Sequence, residues 1–175
     1  MITIISATNR KDSNTLKVAN EYGRLLSSRN IEHKLFTLEN LPKSLLDTHI
    51  YDEDDETFLK LQEEYFFQAD KFIFIIPEYN GSVPGVLKLL MDAADIKKAF
   101  YFKKALLVGV ATGRAGNLRG MEHLTGILLH LKMDVHWNRL PISKIDIELN
   151  EDDHFFNEST LRTVNNQINQ FVEWN

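Results

Sequence analysis

The sequence predicts an α/β fold, a three-layer αβα sandwich whose five-stranded parallel sheet has the order 2-1-3-4-5. Three observations lead there. Short apolar runs alternate strictly with longer amphipathic stretches, the pattern of strands joined by crossover helices. Two of the runs, KFIFII at 71–76 and KALLVGVA from Lys104 to Ala111, are almost wholly apolar, as strands buried on both faces must be. The 175 residues, 43% hydrophobic and 26% charged, suffice for one core, so residues 1–175 are expected to form a single domain.

The elements follow in order. Ile2 to Ser6 is the first strand. Thr15, Val18, Ala19, Tyr22, Leu25 and Leu26 recur at helical spacing after it. Ile31 to Leu38 is a second strand, and residues 57 to 69 a helix through Phe58, Leu61, Tyr65 and Ala69. After the strand at 71–76, Val83, Val86, Leu87, Leu90 and Ala94 line a helix, with Pro84 in its first turn. The strand from Lys104 leads to a helix carrying Leu118, Met121, Leu124, Leu128 and Leu131. Met133 to Trp137 is the fifth strand, and Leu161, Val164, Ile168, Phe171 and Val172 mark the last helix. Residues 39 to 56 and 140 to 156 are unpatterned insertions, the second expected to hold a short strand around Ile145 to Glu148.

Composition excludes several function classes. There is no cysteine, hence no disulfide, thiolate nucleophile or iron–sulfur cluster. The net charge of −5 lacks the basic surplus of a nucleic-acid binder. No segment has the ~20 apolar residues of a membrane span. The start MITIISATNRKDSN does not read as a signal peptide, so a cytoplasmic location is expected.

In a sheet of this order the ligand crevice lies beyond the carboxyl ends of the strands, where the winding direction switches. The first loop there gathers Thr8, Arg10, Ser13, Asn14 and Thr15 at a helix start. Hydroxyls, an amide and a guanidinium beside free N–H groups suit a phosphate dianion. Glycines are missing, so this is neither a dinucleotide fingerprint nor a loop of the GKS or GKT type. The loop after the third strand, Pro77, Glu78, Tyr79, Asn80 and Gly81, combines turn residues with an aromatic suited to ligand contact. Thr112, Gly113 and Gly116 follow the fourth strand. There the glycines suit either close approach to a ligand or a plain turn, with Asn117 capping the next helix.

These motifs resemble the NAD(P)H-dependent FMN reductases of flavodoxin-like fold. PEYNGSVPGVLK, from Pro77 to Lys88, matches that family's most specific motif, and Asp92 its continuation. Ala7, Thr8, Asn9, Arg10, Ser13, Asn14 and Thr15 follow its first-loop pattern, with Ala7 for the usual glycine and Thr8 for the usual serine. Leu89 stands where many relatives have asparagine. The resemblance implies that Thr8, Arg10, Ser13, Asn14 and Thr15 hold the FMN phosphate. It places Pro77, Glu78, Tyr79, Asn80 and Gly81 along the isoalloxazine ring, and Thr112, Gly113 and Gly116 at its pyrimidine edge or on the nicotinamide side. It also implies NADPH or NADH as co-substrate, a small-molecule acceptor such as a flavin or quinone, and a homodimer or homotetramer. The chemistry would belong to FMN, with no catalytic side chain and no metal.

Rival readings are a non-enzymatic flavodoxin-type electron carrier and a quinone or azo reductase of the same fold. A cofactor-free phospho-receiver is disfavoured, because Ser6 ends the first strand where an acidic residue is needed. The acidic run 52–56 and Asp152-Asp153-His154 read as solvated loops. His123 and His130 are two turns apart, too far to share a metal. Trp137 and Trp174 read as packing or interface residues, Phe100 to Phe102 as a candidate cover for a second subunit, and Lys11 and Arg114 as candidates for a ribose phosphate.

Overall fold

The computed structural model describes residues 1–46 and 55–175. Six strands form one sheet: β1 (Ile2–Ser6), β2 (His33–Thr37), β3 (Lys71–Pro77), β4 (Lys104–Val110), β5 (Asp134–Val135) and β6 (Leu140–Ile142). The order is β2-β1-β3-β4-β5, with β6 also parallel to β4. The helices are α1 (Asn14–Ser27), α2 (Glu56–Gln62), α3 (Gly85–Ala93), α4 (Ile96–Ala99), α5 (Leu118–His130) and α6 (Glu158–Glu173). The expected three-layer flavodoxin-like sandwich is what forms.

Alternation along the central strands builds a core on each face. Phe72, Phe74 and Ile76 of β3 pack with Phe36, Phe66, Leu87, Leu90 and Leu124 on one side. Ile73 and Ile75 pack with Val18, Tyr22, Leu106, Ile168 and Phe171 on the other. All six expected α1 residues are buried, together with Glu21, which pairs with Arg24 at 2.6 Å and with His154 Nδ1 at 2.9 Å.

Five expectations change. The helix at 57–69 is α-helical only to Gln62, and Glu63–Phe67 continue as a π-helix. Lys103 Nζ donates to the carbonyls of Phe66 and Phe67 at that end. Pro84 precedes α3 with an extended ψ of 137° instead of lying in its first turn. Leu118 opens α5 but is 52% exposed, since it lies in the first turn, outside the core-facing stripe. The fifth strand is broken: β5 has two residues, the His136 N–H still donates to the Ala105 carbonyl at 2.8 Å, Trp137 to Arg139 loop out, and the chain rejoins β4 as β6. Within that loop the Asn138 N–H donates to His136 Nδ1, and Trp137 is 74% exposed. The extra strand is therefore Leu140–Ile142, and Ile145–Ile147 is a 3-10 turn. Of the acidic run, residues 52–54 lie outside the described residues.

Space beneath the cleft is tight. A Cβ at Gly109 in β4 would lie 2.1 Å from the Gly116 carbonyl oxygen, and one at Gly116 would lie 2.7 Å from Pro141. Gly126 in α5 has no such neighbour within 4 Å. Gly109→Ala should cost about 3 kcal/mol through overpacking against backbone, whereas Gly126→Ala should gain about 0.5–1 kcal/mol from helix propensity. Urea unfolding midpoints of the two variants check both values.

Candidate functional site

The sheet ends where its topology switches. β1 and β3 are neighbours, yet α1 leaves β1 toward β2 on one side and α3 leaves β3 toward β4 on the other. The loops diverge there and leave a cleft of about 680 Å3, within the range of small-molecule sites. Arg10, Ser13, Asn14, Thr15, Pro77, Glu78, Tyr79, Thr112 and Gly113 line it, together with Lys11, Asp12, Val110, Ala111, Ile145 and Asp146.

The first loop forms as its sequence dictates. The Ala7 N–H donates to the Ile75 carbonyl at 2.9 Å, extending the β1–β3 pairing by one residue. Ala7 is fully buried without a positive φ, so alanine replaces the family's glycine without backbone strain. Ser13 caps α1, its hydroxyl accepting from the Leu16 N–H at 3.1 Å. The N–H groups of Lys11 to Thr15 have no protein acceptor among the described residues. The side chain of Arg10 makes no hydrogen bond or ion pair there either, and it is exposed. A helix start with free donors and an unpaired guanidinium has the chemistry to receive an anion.

Thr8 does not reach the cleft surface. It is 1% exposed, and its hydroxyl bonds Tyr79 Oη at 2.7 Å while accepting from the Arg10 N–H at 3.2 Å. The first and second loops are thus joined hydroxyl to hydroxyl. The second loop is a two-residue hairpin, with the N–H groups of Tyr79 and Ser82 each donating to the other's carbonyl at 3.0 Å. Asn80 and Gly81 occupy its tip at φ of 52° and 77°, the left-handed pair such a turn requires. They shape the hairpin and do not line the cleft, whereas Tyr79 does. Arg119 lies against Gly81, and Ser82 Oγ is 2.8 Å from His123 Nδ1, so α5 braces the hairpin from outside.

In the third loop Thr112 and Gly113 line the cleft, while Gly116 is buried against Pro141 at φ 55°. The residue that holds this loop is Asn117. It is fully buried at φ 63° and caps α5 by accepting from the Gly120 N–H at 3.1 Å. Its amide also donates to the Ile76 carbonyl at 2.9 Å, just before Pro77. One side chain therefore welds the second loop to the third. Its capping role was legible in the sequence, but its reach to β3 had no local signal. Asp146 had none either, lying in an unpatterned insertion. None of the described residues between 39 and 56 lines the cleft, and no cluster of three or more metal-ligating side chains occurs among the described residues. No helix among those residues is long and apolar enough to cross a membrane.

Comparison with known proteins agrees with this fold. Residues 1–142 match the family model described as NADPH-dependent FMN reductase. The chain is 22% identical over 177 aligned positions to a 2-hydroxy-1,4-benzoquinone reductase of a Burkholderia species, covering 99% of this chain and 94% of that one. It is 35% identical over 107 positions to an NAD(P)H-dependent FMN reductase of Pseudomonas aeruginosa, covering 60% of this chain and 54% of the other. Its backbone resembles that of FerB, a flavoenzyme NAD(P)H:(acceptor) oxidoreductase from Paracoccus denitrificans. There the TM-score is 0.81 at 23% identity, over 99% of this chain and 95% of that one. An archaeal flavodoxin matches with a TM-score of 0.64 at 13% identity, over 99% and 100% of the two chains.

Asn117→Ala should cost about 3 kcal/mol, the sum of a left-handed alanine and an unpaired buried carbonyl. Asn117→Gly, which tolerates the backbone angle, should cost about 1–2 kcal/mol. Urea denaturation separates the two.

Proposed function

Because the chain belongs to the NADPH-dependent FMN reductase family, we propose that residues 1–175 work as one FMN-binding domain that passes reducing equivalents from NADPH or NADH to a small quinone or flavin. The observation that carries this is a single cleft with an anion receptor at one end and an aromatic hairpin at the other. The residues fit FMN. The unpaired N–H groups of Lys11 to Thr15 and the Arg10 guanidinium suit its phosphate, with Ser13, Asn14 and Thr15 around it. Thr8 acts from below, by holding Tyr79 and the Arg10 backbone. Pro77, Glu78 and Tyr79 would border the ring, with Asn80 and Gly81 setting the hairpin. Thr112 and Gly113 would form the wall toward the nicotinamide, and Gly116 would fix that wall to Pro141.

FMN, when bound, supplies the hydride-accepting and hydride-donating chemistry, and that accounts for a site without a catalytic side chain. The protein's part is positioning. The Thr8–Tyr79 hydroxyl bond and the Asn117 bridge keep three loops in one register, so two partners can meet without further ordering. A quinone as acceptor is favoured by the Burkholderia relative, whose likeness runs nearly the full length of both chains. A purely electron-carrying role would give no turnover of nicotinamide. The reading includes assembly as a homodimer or homotetramer in the cytoplasm.

Two measurements test the proposal. Purified protein supplied with FMN should oxidise NADPH or NADH in the presence of benzoquinone, and absence of turnover with either nucleotide would sink the enzymatic reading. Arg10→Ala should weaken FMN binding by ~1.5–3 kcal/mol, the range of a charged hydrogen bond, in a fluorescence titration. Unchanged affinity would remove Arg10 from the phosphate site.

A further inference from the structure

We infer that Asp146 weakens the binding of FMN, by placing a negative charge against the phosphate end of the cleft. The inference rests on the assignment of that cleft to FMN made above. Asp146 lines the cleft, and its Oδ1 accepts from Asn14 Nδ2 at 2.9 Å. That neutral amide is its one hydrogen-bond partner among the described residues. A phosphate seated on the N–H groups of Lys11 to Thr15 therefore meets a carboxylate on the next side chain.

The Asp146 side chain is exposed, but the backbone that carries it is tied down. The Lys144 N–H donates to the Gly113 carbonyl and the Ile145 N–H to the Ala111 carbonyl, both at 3.1 Å, so the backbone carries on the β4–β6 pairing. Ile145, next to Asp146, is buried. Beyond the turn, Asp153 pairs with Lys17 at 2.8 Å and His154 with Glu21 at 2.9 Å. Asn14, Lys17 and Glu21 are spaced three and four residues apart, along one face of α1. Three polar ties thus bind residues 146–154 to the helix whose start receives the anion. Asp12 and Glu78 also line the cleft, but no hydrogen bond fixes either carboxylate among the described residues.

An anion there opposes a dianionic tail and leaves an uncharged one alone. Asp146 thus lowers affinity for phosphorylated flavins selectively.

The test is a fluorescence titration of the full chain with FMN and with riboflavin, in wild type, Asp146→Asn and Arg10→Ala. Asp146→Asn keeps an acceptor for Asn14 and removes the charge. It should tighten FMN about tenfold at low salt and change riboflavin by less than about twofold, as one charge acting on a nearby dianion in a solvent-like dielectric would. The gain should shrink as salt rises from about 0.05 M to about 0.5 M. Asp146→Ser, which also removes the charge, should give the same ordering. Weaker FMN binding in Asp146→Asn, or an equal shift for both flavins, would overturn the inference. Failure of the cleft assignment looks different: Arg10→Ala would then leave the ratio of FMN to riboflavin affinity unchanged.

Discussion

The mouth of the cleft depends on a shortage of space at the end of β4. Gly109 lies under the Gly116 carbonyl, Gly116 lies against Pro141, and Asn117 fills the gap between them and Gly120. A side chain at 120 would fall 2.2 Å from Asn117 Oδ1, so glycine is required there too. This packing brings the Asn117 amide within reach of the Ile76 carbonyl and ties the end of β3 to the start of α5. Parallel strands buried on both faces fix the height at which the loops leave the sheet. The glycine socket then fixes how far apart they stand.

Much of this was legible in the sequence, because the signals are local. Unbroken apolar runs identified β3 and β4, and helical spacing identified the buried face of α1. The turn residues from Pro77 to Gly81 announced a tight loop, though not that Asn80 and Gly81 would form a two-residue hairpin. The misplaced pieces lie where tertiary contact overrides pattern. Met133 to Trp137 reads as one strand, yet pairing stops after Val135 and resumes at Leu140. Ile145 to Glu148 has the apolar alternation of a strand, but the chain there turns over α1 instead. That brief alternation aside, residues 140 to 156 carry no periodicity, so nothing local showed that Asp146 would meet Asn14, 132 positions earlier.

Two kinds of residue thus share the cleft. Arg10, Tyr79, Thr112 and Gly113 line it. Thr8, Gly116 and Asn117 are buried and act through backbone and hydroxyl contacts. Motif matching does not separate the two groups, since both sit in the same short loops. Burial does: Thr8 and Asn117 have almost no exposed surface, and each touches a second loop.

The broken outer strand has a consequence for how copies of this chain can meet. An intact edge offers a row of unpaired N–H and C=O groups on which another chain's strand can template. At this edge the row is interrupted by Trp137 to Arg139, and Pro141 removes a donor from what remains. A blunted edge of this kind disfavours cross-chain strand addition along this side of the molecule.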